Sequence, residues 1–160
     1  MFARTERLLL RPGWAEDAPA LAAAIADEMI VRNLATAPWP YRLRDAEAFL
    51  AQPRDPVLPS FLIFERTDGA PRLVGSCGLG RRPSGAVELG YWISRPYWGH
   101  GYATEAGLAL IDIARTLGFM PLGISAPRLS CARGTEAQAR LLRLTLTARS
   151  DEQEDEALAA

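Results

Sequence analysis

Residues 88–106 read ELGYWISRPYWGHGYATEA, and few folds can hold such a run. Glu88 to Ile93 alternates as a half-buried strand does. Pro96 ends that pattern. Trp98-Gly99-His100-Gly101-Tyr102-Ala103 then turns straight into a helical segment. A strand, a glycine turn and a helix in that order leave backbone N–H groups unpaired at a positive helix end, a site suited to phosphate groups. Glu88, one strand length upstream, can take a proton from a nucleophile. A phosphate cradle beside a base points to group transfer from a phosphorylated carrier.

Composition narrows the chemistry. The 160 residues suffice for one domain, expected over residues 1–150, followed by an acidic tail over 151–160. All 18 basic residues are Arg, which excludes Schiff-base chemistry on a lysine. The net charge of −1 gives no electrostatic reason to expect nucleic acid. Two cysteines, Cys77 and Cys131, make no disulfide framework, and with a single His they make no metal site. No apolar run reaches the ~20 residues of a membrane span. Met1 to Glu6 carries no signal-peptide pattern. The expectation is a cytoplasmic protein with no metal and no membrane partner.

Along the chain, Leu8 to Leu10 reads as a short strand. Asp17 reads as a helix N-cap, with Leu21, Ala24, Ile25, Glu28 and Met29 keeping a helical period after it. A second short helix is expected over Asp45 to Ala51, with Phe49 and Leu50 turned inward. Phe61 to Phe64, Leu73 to Leu79 and Val87 to Ile93 form three strands joined by polar turns, an antiparallel meander. Ala103 to Leu117 is the best helix, with Ala106, Leu110, Ile113 and Leu117 on one stripe. Leu129 to Ala132 and Leu141 to Leu146 are expected strands. The fold class is α+β, a mostly antiparallel mixed sheet flanked by helices.

Strand alternation puts Glu88, Gly90 and Trp92 on one face and Val87, Leu89, Tyr91 and Ile93 on the other. Gly90 beside Glu88 leaves space over the carboxylate. Read alone, Glu88 is equally a solvent-facing strand residue with Gly90 easing a bulge. Gly99 and Gly101 equally suit a tight turn with no ligand.

The full string, Trp98 to Ala103, resembles the acyl-CoA-binding motif Q/R-x-x-G-x-G/A of the GNAT superfamily of N-acetyltransferases, with Trp in place of the first residue. It looks most like the branch of ribosomal-protein alanine and serine acetyltransferases. Thr5 to Pro12 resembles that branch's opening strand, and Trp14, Glu16 and Asp17 its first helix start. Pro38 to Tyr41, with Asp45, Ala46, Phe49 and Leu50, resembles its substrate-side loop. Leu73-Val74-Gly75 and Gly78-Leu79 resemble its third strand. The likeness runs from about Thr5 to about Leu117.

The resemblance implies an N-acetyltransferase using acetyl-CoA as co-substrate and a primary amine as acceptor, either a protein N-terminus or a small amine. It makes Glu88 the general base. It assigns backbone contacts to the donor's pantetheine arm to Ile93 and Ser94. Trp98, Gly99, His100, Gly101, Tyr102, Ala103 and Thr104 would hold its diphosphate. Trp39 and Tyr41 would shape the acceptor pocket, with plain packing on the sheet as the other reading. Tyr91 and Tyr97 are candidates to protonate the leaving thiolate, again with packing as the alternative. His100 matters through its backbone more than its ring.

The family continues after its loop helix with a fifth strand and a further helix. Here Leu117-Gly118-Phe119 is followed at once by Met120-Pro121-Leu122-Gly123, which resembles a later segment. An internal deletion after residue 117 is therefore expected, with Pro127 to Gly134 and Leu141 to Leu146 as the terminal strand pair. The fourth strand would then expose an edge unless a terminal strand or a partner chain fills it, which makes a homodimer conceivable. Weak donor binding and slow turnover would follow. The alternative function is a catalytically impaired acyl-CoA-binding or interaction module. A nucleotide-binding domain fits less well, for want of a P-loop Lys and a suitably placed acidic ribose reader.

Overall fold

A computed structural model describes residues 1–82, 85–124, 128–130, 135–137 and 144–148, with side chains described as far as residue 120. The expected acidic tail lies outside the described residues. The described residues hold nine strands: β1 (Ala3–Arg4), β2 (Leu8–Arg11), β3 (Ser60–Glu65), β4 (Arg72–Arg81), β5 (Val87–Ile93), β6 (Phe119–Ile124), β7 (Arg128–Ser130), β8 (Thr135–Ala137) and β9 (Leu144–Ala148). The helices are α1 (Ala18–Ile25), α2 (Glu28–Val31), α3 (Leu43–Leu50) and α4 (Tyr102–Thr116).

Seven strands form one sheet in the order β1-β2-β3-β4-β5-β9-β6, and every described ladder is antiparallel. The α+β class holds. β3 explains the layering. Its run SFLIFE is apolar on both sides, so both faces must be covered. Phe61 and Ile63 join Leu8, Leu10, Val74, Val87 and Leu89 in a core under α4. Leu62 and Phe64 join Ala18, Leu21 and Ala46 in a second core under α1 and α3.

α4 meets the sheet through Tyr102, Ala106, Leu110 and Ala114, an i, i+4 row that the helical period places on one stripe. Ile113 and Leu117, expected on that stripe, pack at its flank and are half-buried. The first expected helix is two. α1 stops at Ile25, and Asp27 starts α2 by accepting the Met29 N–H at 2.8 Å. Asp17 does not cap α1 with its side chain. Its carboxylate instead takes both terminal nitrogens of Arg11, at 2.7 and 2.8 Å, and the Trp14 N–H at 2.7 Å. Phe49, expected inward, is 38% exposed, because Ala46 is the α3 residue that fits fully against the sheet.

After α4 the chain passes through one turn into β6. The terminal strands pair otherwise than expected. β6 pairs with β9, while β7 pairs with β8 in a separate ribbon close in sequence. β9 also takes the start of the β5 edge, with Leu146 opposite Val87 and Thr145 opposite Glu88. Among the described residues no strand covers that edge beyond Glu88.

Candidate active site

The loop between β5 and α4 is shaped by two glycines. Gly99 has φ +81° and Gly101 φ +78°, a region where a side chain strains the backbone. Gly101 is the N-cap of α4, and no side chain caps that end. The first intrahelical bond runs from the Glu105 N–H to the Gly101 carbonyl at 3.0 Å. The N–H groups of Tyr102, Ala103 and Thr104 thus precede any intrahelical acceptor, and the helix dipole adds partial positive charge there.

This end opens on a cleft of about 740 Å³. Trp98, Gly99, Gly101, Tyr102 and Ala103 line it from the loop, and Tyr91, Trp92 and Ile93 from β5. Met29, Ile30 and Asn33 close it from α2 and the turn after it. Asp27, the α2 cap, also pairs with Arg95 at 3.3 Å, which ties α2 to the turn after β5. His100, Thr104 and Ser94 lie outside the lining. His100 meets the rings of Tyr97 and Tyr102 edge-on. The Tyr102 phenol donates to Glu65 at 2.5 Å, and that bond raises its pKa. Tyr102 therefore offers the cleft its main chain.

Main-chain groups of Ile93 and Ser94, both expected to bind the donor's arm, are engaged within the fold. Ser94 donates its N–H to the Val74 carbonyl at 2.8 Å and accepts from the Tyr97 N–H at 2.9 Å, so both its main-chain groups serve the fold. That bond also sets the phase of the ladder. Even-numbered residues of β5 bond β4, so Leu89, Tyr91 and Ile93 turn their main-chain groups to the other edge. The Ile93 carbonyl confirms this by accepting the Trp98 indole N–H at 2.6 Å.

A second cleft, of about 530 Å³, runs along β5. Glu88, Gly90 and Trp92 line it from β5, and Leu21, Ile25, Tyr41 and Asp45 from the helical side. Glu88 is 4% exposed, and the Arg82 Nε stands 3.0 Å from its Oε1, so its charge is compensated. Beside it, Gly80 and Gly90 leave open space: a Cβ at either would meet nothing within 4 Å. Burial, with the nearby Asp45 charge, pushes the Tyr41 phenol up to about 12, so it is a hydrogen-bond donor at neutral pH. Trp39 is 44% exposed and does not line this cleft. Cys77 does, but burial pushes its thiol to about 12, which leaves it inert as a nucleophile. The two clefts share Leu34, Tyr91 and Trp92, so they meet at the end of β5.

Sequence reasoning missed α2 as a wall, because Glu28 and Met29 stay in phase with α1 and read as its continuation. It also missed Arg7, whose guanidinium donates to the His100 carbonyl at 2.9 Å from far away in the chain. Among the described residues no group of His, Cys, Asp and Glu is arranged to hold a metal, and no helix is long and apolar enough to cross a membrane.

Residues 7–144 match the family described as the acetyltransferase (GNAT) domain. The uncharacterized N-acetyltransferase p20 of Bacillus licheniformis is 30% identical over 119 residues, 70% of this chain and 65% of that protein. The chain thus matches less than two thirds of that relative's length. Among solved structures, the ribosomal-protein-S5-alanine acetyltransferase of Vibrio fischeri superposes with TM-score 0.59 at 13% identity, over 94% of this chain and 98% of that one. An acetyltransferase from Agrobacterium tumefaciens gives 0.56 at 22% identity, over 91% and 92%. These likenesses are of fold. The family match, over most of the chain, settles membership: this protein belongs to the GNAT acetyltransferase domain family.

Proposed function

We propose that the chain transfers an acetyl group from acetyl-CoA to a primary amine. The observation that carries this reading is the meeting of two clefts at Tyr91 and Trp92, one opening on an uncapped helix end and the other holding a buried carboxylate. Acetyl-CoA supplies an acyl thioester. The N–H groups at the start of α4 suit its diphosphate, and the edge of β5 at Leu89 and Tyr91, which no strand covers among the described residues, suits an extended amide-bearing arm. Binding of those remote parts orients the reacting carbonyl.

An ammonium must lose a proton before it can attack a thioester. Glu88 is the candidate base. Strand rise puts Glu88 and Trp92 roughly 13 Å apart, and Gly90 between them leaves a passage, so a water relay fits better than direct contact. Asp45 in the acceptor cleft favours a cationic acceptor, with Arg81 also at its rim. Both a protein N-terminus and a small amine satisfy this. The structural neighbour that acetylates a ribosomal-protein alanine lends weight to the former. Trp39, outside the cleft, is assigned to its approach. A cytoplasmic location accords with the buried free thiol of Cys77.

A second reading, an acyl-CoA-binding module without turnover, is favoured by one observation. Among the described residues the β5 edge has no strand beyond the short β9 pairing, so that wall of the donor cleft is thin. Calorimetry with acetyl-CoA and a transfer assay on a panel of amines separate the two. The first reading expects binding and acetylation; binding with no acetylated amine leaves the second. Gly101→Val should abolish binding while the fold persists, and full retention of acetyl-CoA by that variant refutes the donor site.

A further inference from the structure

The N-terminal hairpin reaches across the molecule to the start of α4. Glu105 stands in the first turn of that helix. Its Oε1 accepts from the Thr5 hydroxyl at 2.5 Å and the Arg7 N–H at 2.9 Å. Its Oε2 takes the Arg7 Nε and Nη2, each at 2.7 Å. The remaining arm of the guanidinium, Nη1, donates to the His100 carbonyl at 2.9 Å. Its carbon lies 4.9 Å from the centre of the Tyr102 ring, and a Cβ added to Gly101 would stand 3.5 Å from Nη2. One arginine thus touches or flanks residues 100, 101 and 102 in turn.

Two consequences follow from elementary physics. A carboxylate in the first helical turn suits the bare helix end, and for that reason competes with any anionic ligand of the same N–H groups. Arg7 cancels its charge. The peptide unit is planar and trans, so its C=O and N–H point in opposite directions. Holding the His100 carbonyl on Arg7 therefore turns the Gly101 N–H away from Arg7, and Gly101 lines the donor cleft.

We propose that Arg7 is a positioning residue for the diphosphate loop, neutralising Glu105 and setting the His100–Gly101 peptide so that the start of α4 accepts an anion. This rests on the donor-site reading above. It predicts an unusual pattern of rescue. Arg7→Gln weakens coenzyme A binding about tenfold, since an uncompensated negative charge is left at the helix end. Adding Glu105→Gln to that variant restores most of the loss. Glu105→Gln alone binds at least as tightly as the parent, because Arg7 then stands unopposed.

Calorimetry of the full chain with coenzyme A, beside thermal melts, tests this. In steady-state transfer, KM for the donor should rise with Arg7→Gln while kcat at saturating donor is kept. Unchanged affinity in Arg7→Gln overturns the proposal. So does a double variant no tighter than Arg7→Gln, or a Glu105→Gln variant weaker than the parent. If Arg7→Gln does not fold, Glu105→Gln alone decides. A parent that binds, a Gly101→Val that does not and an Arg7→Gln that still does sink only this inference; a parent that cannot bind coenzyme A removes the donor-site reading with it.

Discussion

Val87, Leu89 and Ile93 point from β5 toward α4, while Glu88, Gly90 and Trp92 point from the same strand toward α1 and α3. The first set is buried among apolar neighbours, and of its three members only Ile93 lines a cleft. The second frames a cleft of about 530 Å³ around a carboxylate. Nothing in strand geometry distinguishes the two faces. What differs is side-chain volume: Gly80 and Gly90 withhold it beside Glu88, and Arg82 supplies the countercharge that burial demands. Gly75 on β4 shows the opposite use of the same residue, since a Cβ there would stand 2.2 Å from the Trp92 carbonyl oxygen. One glycine permits strand approach, and the other keeps a void.

Four experiments break or sharpen that contrast. The largest effect is expected from Glu88→Gln, which keeps shape and removes the proposed base. Acetyl transfer should fall about 1000-fold while acetyl-CoA affinity is kept. A variant with parental turnover would reduce Glu88 to a structural partner of Arg82. Next comes Gly75→Val, which should cost about 3 kcal/mol by urea melt, because backbone cannot yield to the added atoms. Stability equal to the parent would deny the close approach of β4 and β5.

Gly90→Leu should do the reverse: fold as the parent, but raise the acceptor KM about tenfold by filling the void. An unchanged KM would place the acceptor elsewhere. The smallest effect concerns the wall of the open face. Burial raises the Asp17 carboxyl, but the Arg11 hydrogen bonds and the Trp14 N–H outweigh it, so its pKa is below the ordinary value. A lowered folded-state pKa contributes stability that is full above the unfolded value and lost as pH falls through the folded one. The parent should therefore lose stability at the acid end of the carboxylate range more steeply than Asp17→Asn, measured by melts across pH. Parallel curves would refute it. Asp17 also differs from Glu88 in place: Arg11 is stacked between Trp14 and Phe64, at 3.9 and 4.1 Å, and Asp17 lines neither of the two clefts at β5.

The strand, glycine turn and helix from Glu88 to Thr116 were legible because each rests on local rules: period two, positive φ and period 3.6. The facing of Glu88 and Gly90 came from the same alternation. The main-chain partners of Ser94 were not legible, because a register, not a motif, decides which edge a main-chain group serves. The break at Asp27 was invisible to periodicity, since Glu28 and Met29 stay in phase across it. Phe49 looked like a core residue by type, yet the smaller Ala46 took the contact.

Local chemistry alone therefore determined the sheet-and-helix class, the two-glycine loop and the alternate faces of β5, since neighbouring residues in one chain dictate all three. Long-range packing decided the rest: Arg7 against Glu105 and His100, α2 as a cleft wall, and β9 beside Val87. Those contacts join residues far apart in the chain, and the sequence carries no local energetic trace of which distant partner each group will meet.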